Sequence, residues 1–266
     1  MADVVISPDF ILVMVVSAFT IPLVFVWWIR NTPRYGREPM GTVLRVFGWG
    51  ALFSAIIAGV LEFVFIAAAM QIPLLYSYLA SRFSNIDPAS VFGFLVAAPL
   101  IEEGSKALAV RSGRSKINAA KDGLVYGATA GLGFSAMENL LYGVSVYLTL
   151  LQQGLNPSGS LLVIAVRSFS SSLLHASSTA TTGYGLAKGW LVHRPYGFVP
   201  FYLLAVIMHA TFNFLTGLGS LYPGQLGGFV DYVGFVAAVG FALSAVTIVR
   251  FKLSERGSVT GTDARS

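Results

Sequence analysis

The chain has 266 residues, 55% of them hydrophobic and 11% charged, with a mean hydropathy of +0.74. Soluble domains carry about 25% charged residues, so this composition excludes a globular protein with one tail anchor and points to a polytopic membrane protein. The formal net charge is +5 and there are no cysteines, which removes disulfides, cysteine nucleophiles and thiolate metal sites and leaves the redox compartment unread.

The first apolar run, Phe10 to Ile29, follows an acidic start at Asp3 and Asp9 and ends in Arg30, Arg34 and Arg37. A signal peptide would put the basic end first and offer a small-residue cleavage site, so this run reads as a retained spanning helix. A second span runs from Val43 to Met70 and is interrupted late by Glu62. Gln71 to Pro88, with Arg82 and Asp87, reads as an external loop with an interfacial piece. The third span, Ser90 to Val110, carries Glu102, Glu103 and Lys106 and gives way to Arg111, Arg114, Lys116 and Lys121. Asp122 is the expected N-cap of a long fourth helix reaching Thr149. Gly154, Pro157 and Gly159 mark a turn before the fifth span, Leu161 to Leu186, which Lys188, His193, Arg194 and Pro195 close. The sixth span, Phe198 to Leu218, and the seventh, Phe229 to Val249, are separated by a Pro223-Gly224 turn.

Fourteen of the seventeen lysines and arginines lie in four clusters, Arg30 to Arg45, Arg111 to Lys121, Lys188 with Arg194, and Arg250 to Arg265. The opposite side holds only Arg82. By the positive-inside rule the expected fold is an all-α polytopic bundle of about seven transmembrane helices, with the amino terminus outside and the carboxyl terminus in the cytoplasm. The positive charge therefore reports topology, and no nucleic-acid partner is expected. Residues 1–250 read as one transmembrane domain and 251–266 as a disordered cytoplasmic tail.

Lys106 and Arg167 are the two cations within spans. On a helix Lys106 lies one turn from Glu102 and three residues from Glu103, so its ammonium can sit between both acids. Each charge costs roughly 2.5–3.5 kcal/mol to place in hydrocarbon, so such groups persist where they face protein, water or a substrate. At 1.5 Å per residue, Glu102, Glu138, His175 and His209 each lie roughly 17–21 Å along their own spans, near the middle of a core about 30 Å thick. Their shared depth predicts one polar cluster. Asn213 is one turn from His209 and Thr179 one turn from His175, so an amide or hydroxyl can orient each imidazole or a bound water. Gly127, Gly131 and Gly133, with Ala128 and Ala130, give the fourth helix a small-residue face for close packing. Arg167 is expected to pair with Glu62, or otherwise with Glu138.

A carboxylate can take a proton from water and return it to a leaving amine while histidine and amide groups hold the water or stabilise the oxyanion. That chemistry is peptide hydrolysis inside the membrane. The same residues can instead ligate zinc, with one glutamate kept as base. HExxH is absent, Gly133-Phe-Ser135-Ala-Met137 lacks the second glycine of a GxSxG elbow, and Asp122 and Asp231 stand near span ends, so zincin, serine and aspartyl schemes fit worse. Two other classes compete with a protease: a proton- or ion-coupled transporter, and a non-enzymatic membrane scaffold or immunity protein. No internal repeat supports the transporter.

Glu102-Glu103-x-x-Lys106, Asp122-Gly-x-Val-Tyr-Gly127 running into Gly131-x-Gly-Phe134-x-x-x-Glu138-Asn139, His175, and His209-x-x-x-Asn213 follow one another in the order found in the PrsW intramembrane proteases. Between Ala98 and Asn213 the chain resembles that family, which is related to the CAAX prenyl endopeptidases and Abi-type membrane proteins. Glutamate at 138 and the spacing of Lys106 resemble PrsW more than the prenyl endopeptidases. The resemblance implies an integral protein of a prokaryotic cell membrane that cleaves a single-span or lipid-anchored membrane protein, such as an anti-sigma factor, amid membrane lipid. It leaves a metallo- or glutamate-type mechanism open, with zinc or no cofactor. The expected catalytic residues are Glu102, Glu103, His175, His209 and Asn213, with Asn213 orienting His209. Lys106 is the expected charge partner, Glu138 and Asn139 complete the surroundings, and a metal would draw on Glu103, Glu138, His175 and His209.

Overall fold

A computed structural model describes residues 7–32, 36–224 and 229–255, with the side chain of Asp231 left out. The expectations for Asp3, Arg34 and the tail from 256 onward fall outside it. In chain order the described residues form α1 (Pro8–Arg30), α2 (Met40–Trp49), a π-helical turn (Gly50–Ser54), α3 (Ala55–Ala69) and α4 (Pro73–Arg82). There follow α5 (Pro88–Phe92), a second π-helical turn (Gly93–Ala97), α6 (Ala98–Ser112), a 3-10 turn (Arg114–Lys116) and α7 (Ala120–Gln152). The chain closes with α8 (Gly159–Leu191), α9 (Val199–Thr216), α10 (Leu218–Leu221) and α11 (Phe229–Ser254). No strand occurs among the described residues.

Six helices are long and apolar enough to cross a membrane: Pro8–Arg30, Met40–Ala69, Ala120–Gln152, Gly159–Leu191, Val199–Thr216 and Tyr232–Ser254. The expected third span is helical without a break from Pro88 to Ser112, but its two acids and lysine keep it out of that apolar set. Leu12, Phe63, Leu162, Val236 and Ile248 stand exposed on the outside of the bundle, as lipid-facing residues do. Three local expectations change. The stretch after Met70 contains a ten-residue helix, α4, and α11 runs to Ser254, past the expected start of the tail. Asp122 is not the N-cap of α7. It stands at the third helical position and its carboxylate reaches back to accept from the backbone N–H of Asn118 (2.7 Å) and Ala119 (2.8 Å). Ala119 has no acceptor of its own, so only this half of the reciprocal cap can form.

The centre of the bundle is the antiparallel pair α7 and α8, which also meets α1, α6, α9 and α11. Glycines at a four-residue spacing set its geometry. A Cβ on Gly123, Gly127 or Gly131 would lie 2.2, 2.3 or 2.0 Å from the carbonyl oxygen of Gly183, Thr179 or His175. Only hydrogen fits there, so the backbones touch and the register is fixed. Gly133 lies on a different face and packs against α2, where its Cβ would meet the Phe47 carbonyl at 2.1 Å. The small residues of α7 thus serve two neighbours, and His175 is placed by direct backbone contact with Gly131.

Candidate active site

Glu103, Lys106 and His175 are buried at the junction of α6, α7, α8 and α9. The Glu103 carboxylate is saturated: Oε1 accepts from Lys106 Nζ (2.9 Å), Ser178 Oγ (3.0 Å) and His209 Nδ1 (3.1 Å), and Oε2 accepts from Thr179 Oγ1 (2.9 Å). The Lys106 ammonium also lies 2.8 Å from His175 Nδ1 and 4.4 Å above the Phe134 ring. A buried ion pair persists only with its remaining polar atoms paired, and here they are.

Glu102 is placed differently. Its Oε2 lies 3.1 Å from Lys106 Nζ, an ion-pair distance, but at an angle that makes no hydrogen bond, so this oxygen is buried without a donor. The ammonium donates instead to Glu103 and His175, leaving Glu102 as the less satisfied acid. Unlike Glu103, Glu102 lines a cavity of about 500 Å³ together with Glu62, Glu138, Arg167, His175 and Asn213. His175 Nδ1 and His209 Nε2 approach Glu102 Oε2 at 3.9 and 3.8 Å.

The two imidazoles are held by other carboxylates on their far nitrogens. His175 Nε2 is 2.9 Å from Glu138 Oε2 and His209 Nδ1 is 3.1 Å from Glu103 Oε1. An ionised carboxylate only accepts, so each of those nitrogens carries the proton; the lone pair of His209 Nε2 is left beside Glu102, and that of His175 Nδ1, also near Glu102, accepts from Lys106. This is the carboxylate-to-histidine arrangement that orients metal ligands. Glu102, His175 and His209 each offer a ligand atom, all within 4.8 Å of one another. Ligands at roughly 2.1 Å in a tetrahedral zinc site sit about 3.4 Å apart, so the two Glu102 separations would contract by about half an ångström and the two imidazole nitrogens would close to the same spacing. The orphaned Glu102 oxygen and the two lone pairs therefore fit a zinc-class ion, provided the Lys106 ammonium withdraws from His175 toward Glu103. This ligand set takes Glu102 where the sequence pointed to Glu103 and Glu138, because both of those already accept from the histidines.

The acids and imidazoles that the sequence placed at one depth do converge, but several supporting roles move. Asn213 does not orient His209. Its Nδ2 donates to the Phe94 carbonyl at 2.8 Å, since Pro99, five residues on, has no N–H to close the π-helical ladder there. Thr179 serves Glu103, and Glu138 holds His175. Arg167 pairs with Glu138 at 2.9 Å and with Asn139 Oδ1 at 3.2 Å, not with Glu62, because the register that sets Gly131 against His175 carries on to set Asn139 against Arg167. Asn139 Nδ2 in turn donates to Ser172 and Ser135 at 3.2 and 3.3 Å. Asn139 thus supports the reacting groups through Arg167, Glu138 and His175. Ser178 and Ser172 were not singled out from the sequence. The signal for them is the hydroxyl-rich run Ser168 to Thr182 inside an otherwise apolar span, denser than helix packing requires.

A family profile described as PrsW family intramembrane metalloprotease matches residues 38–245. Protease PrsW of Clostridioides difficile (strain 630) is 28% identical over 204 residues, covering 73% of this chain and 74% of that protein. No solved structure matches.

Proposed function

The chain belongs to the PrsW family of intramembrane metalloproteases and is an intramembrane endopeptidase of the membrane-embedded helical class, and from that premise we propose that Glu102 is its proton-transfer base and Glu103 its electrostatic anchor. Family membership sets aside the transporter and the scaffold. The observation that carries the assignment is the contrast between two adjacent acids: Glu103 is fully hydrogen-bonded, while Glu102 presents a buried oxygen without a donor beside the cavity.

In this reading Glu102 Oε2 takes one proton from a water that donates its other hydrogen to the lone pair of His209 Nε2, while His175 Nδ1 accepts from the Lys106 ammonium. The water oxygen attacks the scissile carbonyl, and Glu102 then delivers the proton to the leaving amine. Asn213 lines the same cavity and has a second Nδ2 hydrogen beyond the one given to Phe94, so it is a neutral donor available to the developing oxyanion. Lys106 keeps its charge against Glu103, and Glu138 with Arg167 fixes the His175 ring. Glu102, His175 and His209 would hold a zinc-class ion, and the chemistry it would supply there is Lewis-acid polarisation of the carbonyl and a more acidic water. The proton-delivery duty would then pass to a carboxylate outside the ligand set; of the two that line the cavity, Glu62 and Glu138, Glu138 is the one bonded to His175.

We place the run from Pro88 to Ser112 across the membrane as a seventh span. Only then do the four basic clusters fall on one side, which puts the amino terminus outside and the carboxyl terminus in the cytoplasm of a prokaryotic cell. The substrate proposed is a single-span or lipid-anchored membrane protein; a membrane-anchored anti-sigma factor is the class that the sequence resemblance implies. The test is cleavage of single-span substrates by purified protein in proteoliposomes, with and without a chelator. Glu102→Gln should abolish cleavage while leaving thermal unfolding within about 2 °C of wild type, since a near-neutral change of about 0.5 kcal/mol or less moves Tm by that order. Full activity in that variant refutes the assignment. Loss of activity on chelation, restored by zinc, selects the metal-assisted route.

A further inference from the structure

Glu62 is the sole charged residue of α3, and neither the fold nor the hydrolytic scheme uses it. Its helix face, with Ala55, Ala58 and Gly59, lines the cavity that Glu102 and Glu138 also line. Among the described residues Glu62 makes no ion pair within 4.0 Å and no side-chain hydrogen bond. The cation that could have neutralised it is engaged elsewhere: Arg167 binds Glu138 and Asn139 and stacks 3.7 Å over the Tyr142 ring. The opposing charges do not balance either. Among the described residues, the Lys and Arg paired within this acidic group of Glu62, Glu102, Glu103 and Glu138 are Lys106 and Arg167, a formal excess of two negative charges when all are ionised. An acid without a protein partner inside a span is a functional-site signal by default, and the substrate group complementary to it is a cation.

Resting on the protease reading above, the geometry points to Glu62 as the wall of a specificity subsite that receives a lysine or arginine side chain of the substrate near the scissile bond. There is room for it: a Cβ added at Gly59, three residues before Glu62, would meet no atom within 4 Å. A compact space of about 500 Å³ is roughly 8 Å across, and an extended peptide advances about 3.3–3.6 Å per residue, so the basic residue falls within about two positions of the bond cut. The long stem of lysine or arginine suits an apolar wall that ends in an acid. Substrates with a basic residue at that position are therefore selected over otherwise identical neutral ones, and Glu62 acts through substrate binding without touching the reacting atoms.

The experiment is a charge scan. Single-span substrates carry lysine, glutamine or glutamate at each of the four positions flanking the cleavage site, and wild type, Glu62→Gln and Glu62→Lys are assayed in proteoliposomes. At one position wild type should cleave the lysine substrate with a kcat/KM about 10-fold above the glutamine one, as expected of a charge-assisted contact. Glu62→Gln should reduce that preference to less than twofold while still cleaving the glutamine substrate. Glu62→Lys should reverse it in favour of glutamate. Absence of any charge preference in wild type, an undiminished preference in Glu62→Gln, or equal loss of all three substrates in that variant would each overturn the subsite while leaving the protease in place. Failure of wild type to cleave any substrate, at rates no different from Glu102→Gln, would instead overturn the protease reading and this one with it.

Discussion

Replacing Gly131 by alanine tests whether backbone contact between α7 and α8 sets the site. The added Cβ would lie 2.0 Å from the His175 carbonyl oxygen, 2.6 Å from its carbon and 3.0 Å from Thr179 Oγ1. The first two are backbone atoms and cannot rotate away, so restoring ordinary contact near 3.4 Å requires the helices to part by about 1.4 Å at this level. His175 would then leave hydrogen-bond range of Lys106 Nζ and Glu138 Oε2, now at 2.8 and 2.9 Å, and Thr179 would leave Glu103. Overpacking of this kind costs about 1–3 kcal/mol, and a displacement near 1 Å at a reacting group costs about 100-fold in rate. Gly131→Ala should therefore insert into the membrane, unfold several degrees lower and cleave about 100-fold more slowly. Two controls bracket it. Gly143→Ala meets only side chains, Ile164 at 2.4 Å and Met14 at 3.3 Å, and Gly240→Ala meets nothing within 4 Å, so the first should lose stability with little loss of turnover and the second should lose neither. Substrate cleavage in proteoliposomes and thermal unfolding in detergent read both quantities. Turnover within threefold of wild type in Gly131→Ala would refute the claim that this contact positions His175.

Glu103→Gln should behave unlike Glu102→Gln, because it takes from Lys106 the carboxylate it is hydrogen-bonded to and leaves Ser178, Thr179 and His209 donating to a neutral amide. Breaking a buried pair from one side costs about 3–5 kcal/mol, so the expected outcome is a clear fall in thermal midpoint together with loss of cleavage. Arg167→Gln removes the cation that holds Glu138 against His175, and should lower kcat about 10-fold with KM within twofold, measured on a single-span substrate. Burial pushes the Glu38 carboxyl, outside the spans and beside the Tyr126 hydroxyl that donates to it, up to about 7 from 4.5. A raised carboxyl favours the folded state while protonated, so its contribution is full below pH 4.5 and is lost as pH rises through about 7. Thermal unfolding between pH 4.5 and 8 should show that decline in wild type and a flatter profile in Glu38→Gln; identical slopes would refute it.

The spans were readable from the sequence because long apolar runs with basic ends carry their own signal, and the meeting of Glu102, Glu138, His175 and His209 followed from their equal depth. Pair assignments were not readable in the same way. Asn213 follows His209 by one turn, but its partner depends on a carbonyl left open by Pro99 in a π-helical turn, a local irregularity that apolar periodicity does not encode. Arg167 could have met Glu62 or Glu138 by depth alone. The choice is made by the glycine register of α7 on α8, which becomes visible only once Gly123, Gly127 and Gly131 are known to face α8 rather than α2. The metal-competent set moved from Glu103 to Glu102 for a related reason: it depends on which acid the hydroxyls of α8 reach first.

The adjacency of the two glutamates is itself the device. Consecutive residues on a helix point about 100° apart, so one acid can enter the packed seam between α6 and α8 while its neighbour faces the cavity, with one lysine a turn later touching both. Ser178 and Thr179 are likewise consecutive on α8 and both donate to Glu103, sharing that carboxylate with the ammonium and holding it in the seam, while Glu102 Oε2 is left without a hydrogen-bond donor. If that division of labour is correct, moving the hydroxyls should move the charge. Removing both in Ser178→Ala with Thr179→Val takes two of the four donors from Glu103, so the ammonium should be held more firmly as the remaining counter-charge and Glu102 should be freed further from it. The double variant should lose stability by about 1–3 kcal/mol through unsatisfied carboxylate oxygens, yet retain measurable cleavage because the base and both imidazoles keep their places. Complete loss of cleavage in a folded double variant would mean that Glu103, not Glu102, faces the chemistry.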